Sequence, residues 1–223
     1  LMTKDESKIL ASDITLQVFG NQKICIIGSN GCGKTTLLDE IYSYHTSPTP
    51  SPMHGLSAPH VYASPNRLEG STLIYLKSLD NYAQLDKRKK GSALTQALEY
   101  VIYQNKESFS FFNYRMGIID FPQEAEVIKK RIQHFFDIIN ELFADTNKKI
   151  TIHDSRLVFQ QEKSLVEVNQ LSSGEKQLLL MLLNVFLLKE EKAVILMDEP
   201  EISLHISWQY RLLEILTALN QQA

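Results

Sequence analysis

An α/β fold with a largely helical segment between its two ends is predicted by three observations. Ile24 to Ile27 is a short apolar run leading into a glycine-rich loop and then a helix. Ala193 to Met197 is a second apolar run, and it ends in the adjacent carboxylates of Asp198 and Glu199. Between these ends, apolar residues recur mainly at helical spacing. Short continuous apolar runs read as strands buried on both faces, and strands alternating with helices read as a layered core.

The elements follow in order. Ile14, Leu16 and Val18 alternate with polar residues as in a half-buried strand, and Gly20-Asn21 makes a turn before the buried run at 24–27. A helix is expected over about 34–44. Pro48, Pro50, Pro52 and Pro59 forbid regular helix and predict an exposed loop. His60 to Ala63 reads as a strand. Helices are expected over about 92–105 and 124–144, the second with Pro122 before it and Glu124 and Glu126 favouring its positive dipole end. The aromatic segment Phe109 to Tyr114 has no clear assignment. Short strands are expected at 150–152, 157–159 and 165–168, a long apolar helix over about 173–188, the strand at 193–197, and an amphipathic helix over about 203–219. This divides the chain into a first part of the core at 1–60, a mainly helical insert at 61–150 and a second part of the core at 151–223.

Composition narrows the class. The 223 residues, 43% of them apolar, suit one domain or one domain with an insert. A formal charge of −3 argues against a protein coated in basic charge for nucleic acid. The basic runs Lys87-Arg88-Lys89-Lys90 and Lys129-Lys130-Arg131 keep local nucleic-acid contact open, beside the plainer reading of solvated faces. Cys25 and Cys32 form neither a zinc spacing nor a disulfide framework. No stretch reaches the roughly 18 apolar residues of a membrane span, and Lys4, Asp5 and Glu6 do not open a secretory signal. A cytoplasmic protein with no membrane partner is expected.

Three motifs carry chemistry. Gly28-Ser29-Asn30-Gly31-Cys32-Gly33-Lys34-Thr35 matches the phosphate-loop pattern G-x-x-x-x-G-K-[ST] in full, with Thr36 next on the helix. Glycines let successive N–H groups point at phosphate oxygens, and the helix beginning at Lys34 aims its positive end at the same anion. Lys34 adds a charge near the β- and γ-phosphates of ATP, and the Thr35 hydroxyl suits Mg²⁺. Cys32 reads as a small residue that fits the loop, with redox gating the rarer alternative. The strand ending at Asp198 and Glu199 would deliver Asp198 to the metal and Glu199 to an attacking water. Ser172-Ser173-Gly174-Glu175 opens a helix and is either a second anion-binding turn or an ordinary helix cap.

Leu171-Ser172-Ser173-Gly174-Glu175-Lys176-Gln177 resembles the LSGGQ signature of ABC-type ATPases, and it lies 27 positions before Asp198 as that family requires. The fold implied is a P-loop NTPase of ABC type with a helical insert and a small antiparallel β element. The resemblance implies that Ser172, Ser173, Gly174 and Glu175 meet the γ-phosphate held by a second copy, so that ATP is sandwiched in a dimer. Glu199-Pro200-Glu201-Ile202-Ser203-Leu204-His205 is similar to the non-transporter SMC/Rad50 and OLD-like groups, which include ATPase subunits of the anti-phage Septu and retron-associated systems. It places Ser203 and His205 in an interfacial D-loop, and implies a partner effector such as a nuclease or toxin.

Ser173 departs from the first glycine of the signature. No glutamine stands after His60–Ala63 in the position of a Q-loop, where Ser64, Pro65, Asn66 and Arg67 occur instead. The chain also stops before the strand that should carry a switch histidine, so a truncated piece is expected. Besides an effector-controlling ATPase, three alternatives stay open: a DNA-repair ATPase of the SMC/Rad50 type, a transporter subunit, and an ATP-dependent assembly module that does not hydrolyse. A short, proline-interrupted insert disfavours the coiled arms of the second class, and Glu201 with Leu204-His205 disfavours the transporter.

Overall fold

A computed structural model describes residues 22–46, 71–77, 91–104, 110–189 and 191–220. The strands expected near 14–18 and at 60–63, the proline-rich loop, the Lys87–Lys90 run and the Q-loop positions 64–67 lie outside the described residues. Contacts gather the chain into two units, one within Leu1–Lys77 and Glu191–Glu199, the other within Ser78–Glu190 and Pro200–Gln221.

The first unit is built on α1 (Lys34–Thr46), β1 (Thr72–Leu76) and β5 (Ala193–Met197). The two strands pair in parallel with Thr72 opposite Ala193 and Leu76 opposite Met197. Main-chain bonds extend the ladder at both ends, Thr72 N–H to Lys192 O at 2.8 Å and Asp198 N–H to Leu76 O at 3.0 Å. Leu38 of α1 and Leu76 are buried, and the Tyr42 and Tyr75 rings meet at 5.6 Å. β1 was not legible in the sequence, because its partner lies more than a hundred positions away.

The strand expected at 24–27 is not formed. Residues 22–29 have no ladder partner among the described residues, and Ile27 is 89% exposed. An apolar run records surface that needs covering; only a neighbouring edge makes it a strand.

The second unit holds α2 (Ala93–Glu99), α3 (Phe111–Asp120), α4 (Ala125–Leu142), β2 (Lys148–His153), β3 (Arg156–Gln161), β4 (Ser164–Glu167), α5 (Ser173–Phe186) and α6 (Ile206–Leu219). α2 runs on into a π-helical turn, Tyr100–Gln104, that buries Val101 and Ile102. Residues 110–114 of the aromatic segment without a sequence assignment form the cap and first turn of α3: Ser110 Oγ accepts the Asn113 N–H at 3.1 Å, and Phe111 and Tyr114 turn inward. On α4, Ile128, Ile132, Phe135, Ile139 and Leu142 are buried at the spacing the sequence predicts. β2, β3 and β4 form an antiparallel meander. Its first turn has Asp154 and Ser155 both at positive φ, as a two-residue hairpin loop requires.

α5 is buried nearly all round, from Gly174 to Phe186. Phe186 meets Phe135 in a tilted pair with ring centroids 4.5 Å apart, and Arg131 donates to the Phe186 carbonyl at 2.8 Å while lying over that ring. α6 starts three residues later than expected. Ser203 has φ 66°, outside the helical region, and His205 caps the helix instead. Trp208 Nε1 donates to Leu142 O at 2.9 Å, tying α6 to α4.

Candidate functional site

The phosphate loop is shaped by two glycines. Gly31 at φ 76° and Gly33 at φ 99° adopt backbone conformations a side chain resists, and Cys32 N–H closes a turn on Ser29 O at 3.2 Å. At Gly28 an added Cβ would meet Cys32 Sγ at 2.5 Å. The first α1 bond runs from Leu37 N–H to Gly33 O, and the first turn of α1 carries no acidic residue. The positive end of the helix is therefore not neutralised by its own side chains. Lys34 Nζ donates to Gly28 O at 2.9 Å and Ser29 O at 3.2 Å, curled back over its own loop.

Thr35 and Asp198 are 163 positions apart and meet: the hydroxyl lies 3.1 Å from Oδ1 and 3.0 Å from Oδ2. Asp198 is buried at the carboxyl end of β5. Glu199 follows with φ 48°, a conformation that costs a non-glycine residue about 1–3 kcal/mol and that clusters at functional sites. A hydroxyl and a carboxylate in contact are oxygen donors of the kind Mg²⁺ takes alongside phosphate oxygens and water, so these two residues fit that ion. Among the described residues no group of three or more His, Cys, Asp or Glu could hold a metal by itself.

Sequence reasoning missed three residues beside this pair. Parallel register places Lys77 level with Asp198, and its Nζ lies 3.3 Å from Asp39 Oδ1, one turn along α1 from Thr35. Lys77 also covers the Tyr75 ring at 5.0 Å. Burial, then the charges of Asp39 and Asp198, push the Tyr75 phenol above its usual range. No sequence signal marks these residues until β1 is recognised as the neighbour of β5.

The signature turn lies in the second unit. Ser172 Oγ accepts the Glu175 N–H at 3.2 Å, and Glu175 Oε2 accepts the Ser172 N–H at 2.8 Å, a complete capping box. Glu175 is 2% exposed and its Oε1 binds Lys148 Nζ at 2.7 Å. Burial alone would raise its pKa, but Lys148 and the Ser172 N–H hold it below the usual carboxylate range. The Glu175 side chain is thus engaged within its own unit, whereas Ser172 and Ser173 are exposed. Gly174 packs against the Ser203 carbonyl so closely that any Cβ would collide with it, and this joins the turn to the 203–205 segment. His205 Nδ1 lies 2.7 Å from Ser207 Oγ, and accepts the Ser207 N–H as the cap of α6.

Residues 54–223 match the family model described as "AAA domain, putative AbiEii toxin, Type IV TA system". The chain belongs to this AAA-domain family. The matched span holds the Ser172 turn and Asp198 and begins beyond the phosphate loop. The chain is also 26% identical over 222 residues to a Haemophilus influenzae protein (strain ATCC 51907 / DSM 11121 / KW20 / Rd) named "Uncharacterized ABC transporter ATP-binding protein". That similarity takes in 97% of this chain and 66% of the relative's length. Membership makes the chain an AAA domain, and the Haemophilus relative adds a likeness to ABC ATP-binding proteins. No helix among the described residues is long and apolar enough to cross a membrane.

Proposed function

We propose that this AAA-domain protein binds ATP with Mg²⁺ on the loop from Gly28 to Thr36 and hydrolyses it with Glu199 as general base. The observation that carries the reading is the meeting of Thr35 with Asp198, which brings the two distant motifs to one point. Lys34 would leave the carbonyls of Gly28 and Ser29 for phosphate oxygens, and the N–H groups of the loop would take the rest of the anion. Thr35 and Asp198 would hold Mg²⁺, which when bound offsets phosphate charge. Glu199 would orient and deprotonate the attacking water.

The exposed Ser172 and Ser173 of a second copy would close over the γ-phosphate, with Ser203 and His205 near the contact. Ser172 Oγ already accepts a bond from Glu175 N–H, yet it keeps its own hydroxyl proton to donate. This dimer would act as the nucleotide-controlled switch of a partner effector, a nuclease or toxin, in anti-phage defence. The family description, with its toxin and Type IV TA system, favours that setting. The name of the Haemophilus relative favours a second reading, a transporter ATPase, against which the Glu201 to His205 segment speaks. Repair ATPases of the SMC/Rad50 type and a non-hydrolysing assembly module are the remaining alternatives.

The test is Glu199→Gln in the full chain, followed by phosphate release, ATP binding and light scattering. Turnover should fall about 10²–10⁴-fold, as for loss of a general base, while ATP affinity is kept and an ATP-dependent dimer accumulates. Turnover at the wild-type rate would remove Glu199 from the chemistry. A variant that stays monomeric with ATP would remove the sandwich.

A further inference from the structure

We propose that the groove between α3, α4 and β2 is a docking site for an acidic, amphipathic peptide segment of a partner protein. The cleft has a volume of about 430 Å³ and lies wholly within the second unit. Arg115, Lys129 and Lys130 stand around it, over a floor that includes Ile118, Phe136 and Ile152.

The charges do not cancel internally. Lys129 is tied to Glu126 at 2.8 Å on the same helix. Arg131, the third member of the basic run, is turned away to the Phe186 carbonyl. Arg115 and Lys130 have no ion pair among the described residues, so the groove keeps a net positive charge on a chain whose total is −3. Ile119, one turn along α3 from Arg115, is 68% exposed.

A singly exposed isoleucine needs no explanation, whereas an apolar cleft floor between two cations without ion pairs is a surface that an acidic, partly apolar partner complements. A helical peptide could set leucine-like anchors on the floor and carboxylates on the rim, the helix-in-groove mode of recognition. Nucleic acid fits less well. Base stacking needs free aromatic faces, and Phe136 is already stacked on Phe111 at 6.1 Å. The cations also sit around one cleft and do not follow a track of phosphates. This deepens the effector reading by giving the partner a place to bind, and it requires no nucleotide.

Fluorescence anisotropy of the full chain without ATP tests it, with three labelled probes: an amphipathic peptide of leucine and glutamate at helical spacing, its glutamine counterpart, and an oligothymidylate. The glutamate peptide should bind saturably, and about tenfold or more weaker for its glutamine counterpart and for Arg115→Glu with Lys130→Glu. Lys163→Glu, between β3 and β4, should bind as wild type does. ATP turnover of the double variant at the wild-type rate would show that it is folded; should it not fold, the exposed single change Lys130→Glu should still weaken the peptide severalfold. No saturable binding of the glutamate peptide, equal binding of both peptides, indifference to these charge reversals, or tighter binding of the oligothymidylate would each overturn the proposal. None of these results bears on whether ATP is hydrolysed.

Discussion

The turns that open α1 and α5 resemble each other as strings, small residues and glycines before a helix, and they differ in how their backbone groups are used. At α1 the third helical residue is Thr36, no acid stands in the first turn, and the loop is exposed up to Cys32. At α5 the third residue is Glu175, whose carboxylate closes a capping box and holds Lys148. One helix end is left open to an outside anion; the other is largely filled by its own side chains. A helix N-terminus offers its own N–H groups to an anion only where the protein has left them unsatisfied, and the residue three positions in decides much of this.

The comparison breaks most visibly at Lys34. If α1 is the anion-binding end, Lys34→Ala removes a charge-assisted bond to phosphate and should weaken ATP about a hundredfold or more by calorimetry. Undiminished affinity would make the Gly28–Thr35 loop an ordinary turn.

At α5 the expected loss is of stability. Glu175→Gln leaves Lys148 facing a neutral partner in a largely buried setting, and should cost about 2–4 kcal/mol in urea unfolding near neutral pH. The folded-state pKa of Glu175 lies below its unfolded value. Its contribution is therefore fully present above the unfolded pKa and disappears as pH falls through the folded one. The gap between wild type and variant should begin to narrow as pH falls through the usual carboxylate range, and close only below the folded-state pKa. A gap that does not change with pH would mean that the ion pair is not its source.

Legibility followed the range of the interactions. α1, α4, α5 and β5 were readable because their signals are local: a glycine loop, a repeating apolar face, an apolar run closed by Asp198. The meander was readable in outline from its short apolar runs, and its Asp154-Ser155 turn was not. Two things escaped for one reason. β1 exists through its pairing with β5, whereas the run at 24–27 has no ladder partner among the described residues. Strand identity belongs to a pair, and a sequence shows one member at a time. In the site, Thr35 and Asp198 were readable as motif members, whereas Lys77, Asp39 and Tyr75 gained meaning only once β1 was paired with β5 and Lys77 was seen to reach Asp39 on α1. The capping role of Glu175 was open as an alternative, but its bond to Lys148 was not foreseeable.

The smallest expected change in stability separates the two uses of the signature turn. Ser172→Asp keeps an N-cap acceptor for the Glu175 N–H and should cost less than about 1 kcal/mol, part of it from repulsion with Glu175. It also replaces a hydroxyl donor with an anion where the phosphate of a second copy would arrive. Thermal melting close to wild type, together with loss of the ATP-dependent dimer in light scattering, would assign Ser172 a role beyond its own helix. Ser172→Ala reverses the emphasis: it loses the cap at about 1 kcal/mol but adds no charge, so its dimer should weaken less than that of Ser172→Asp. If both variants dimerise with ATP as wild type does, the capping box is the whole purpose of the turn, and the contrast between α1 and α5 becomes one of binding against structure alone.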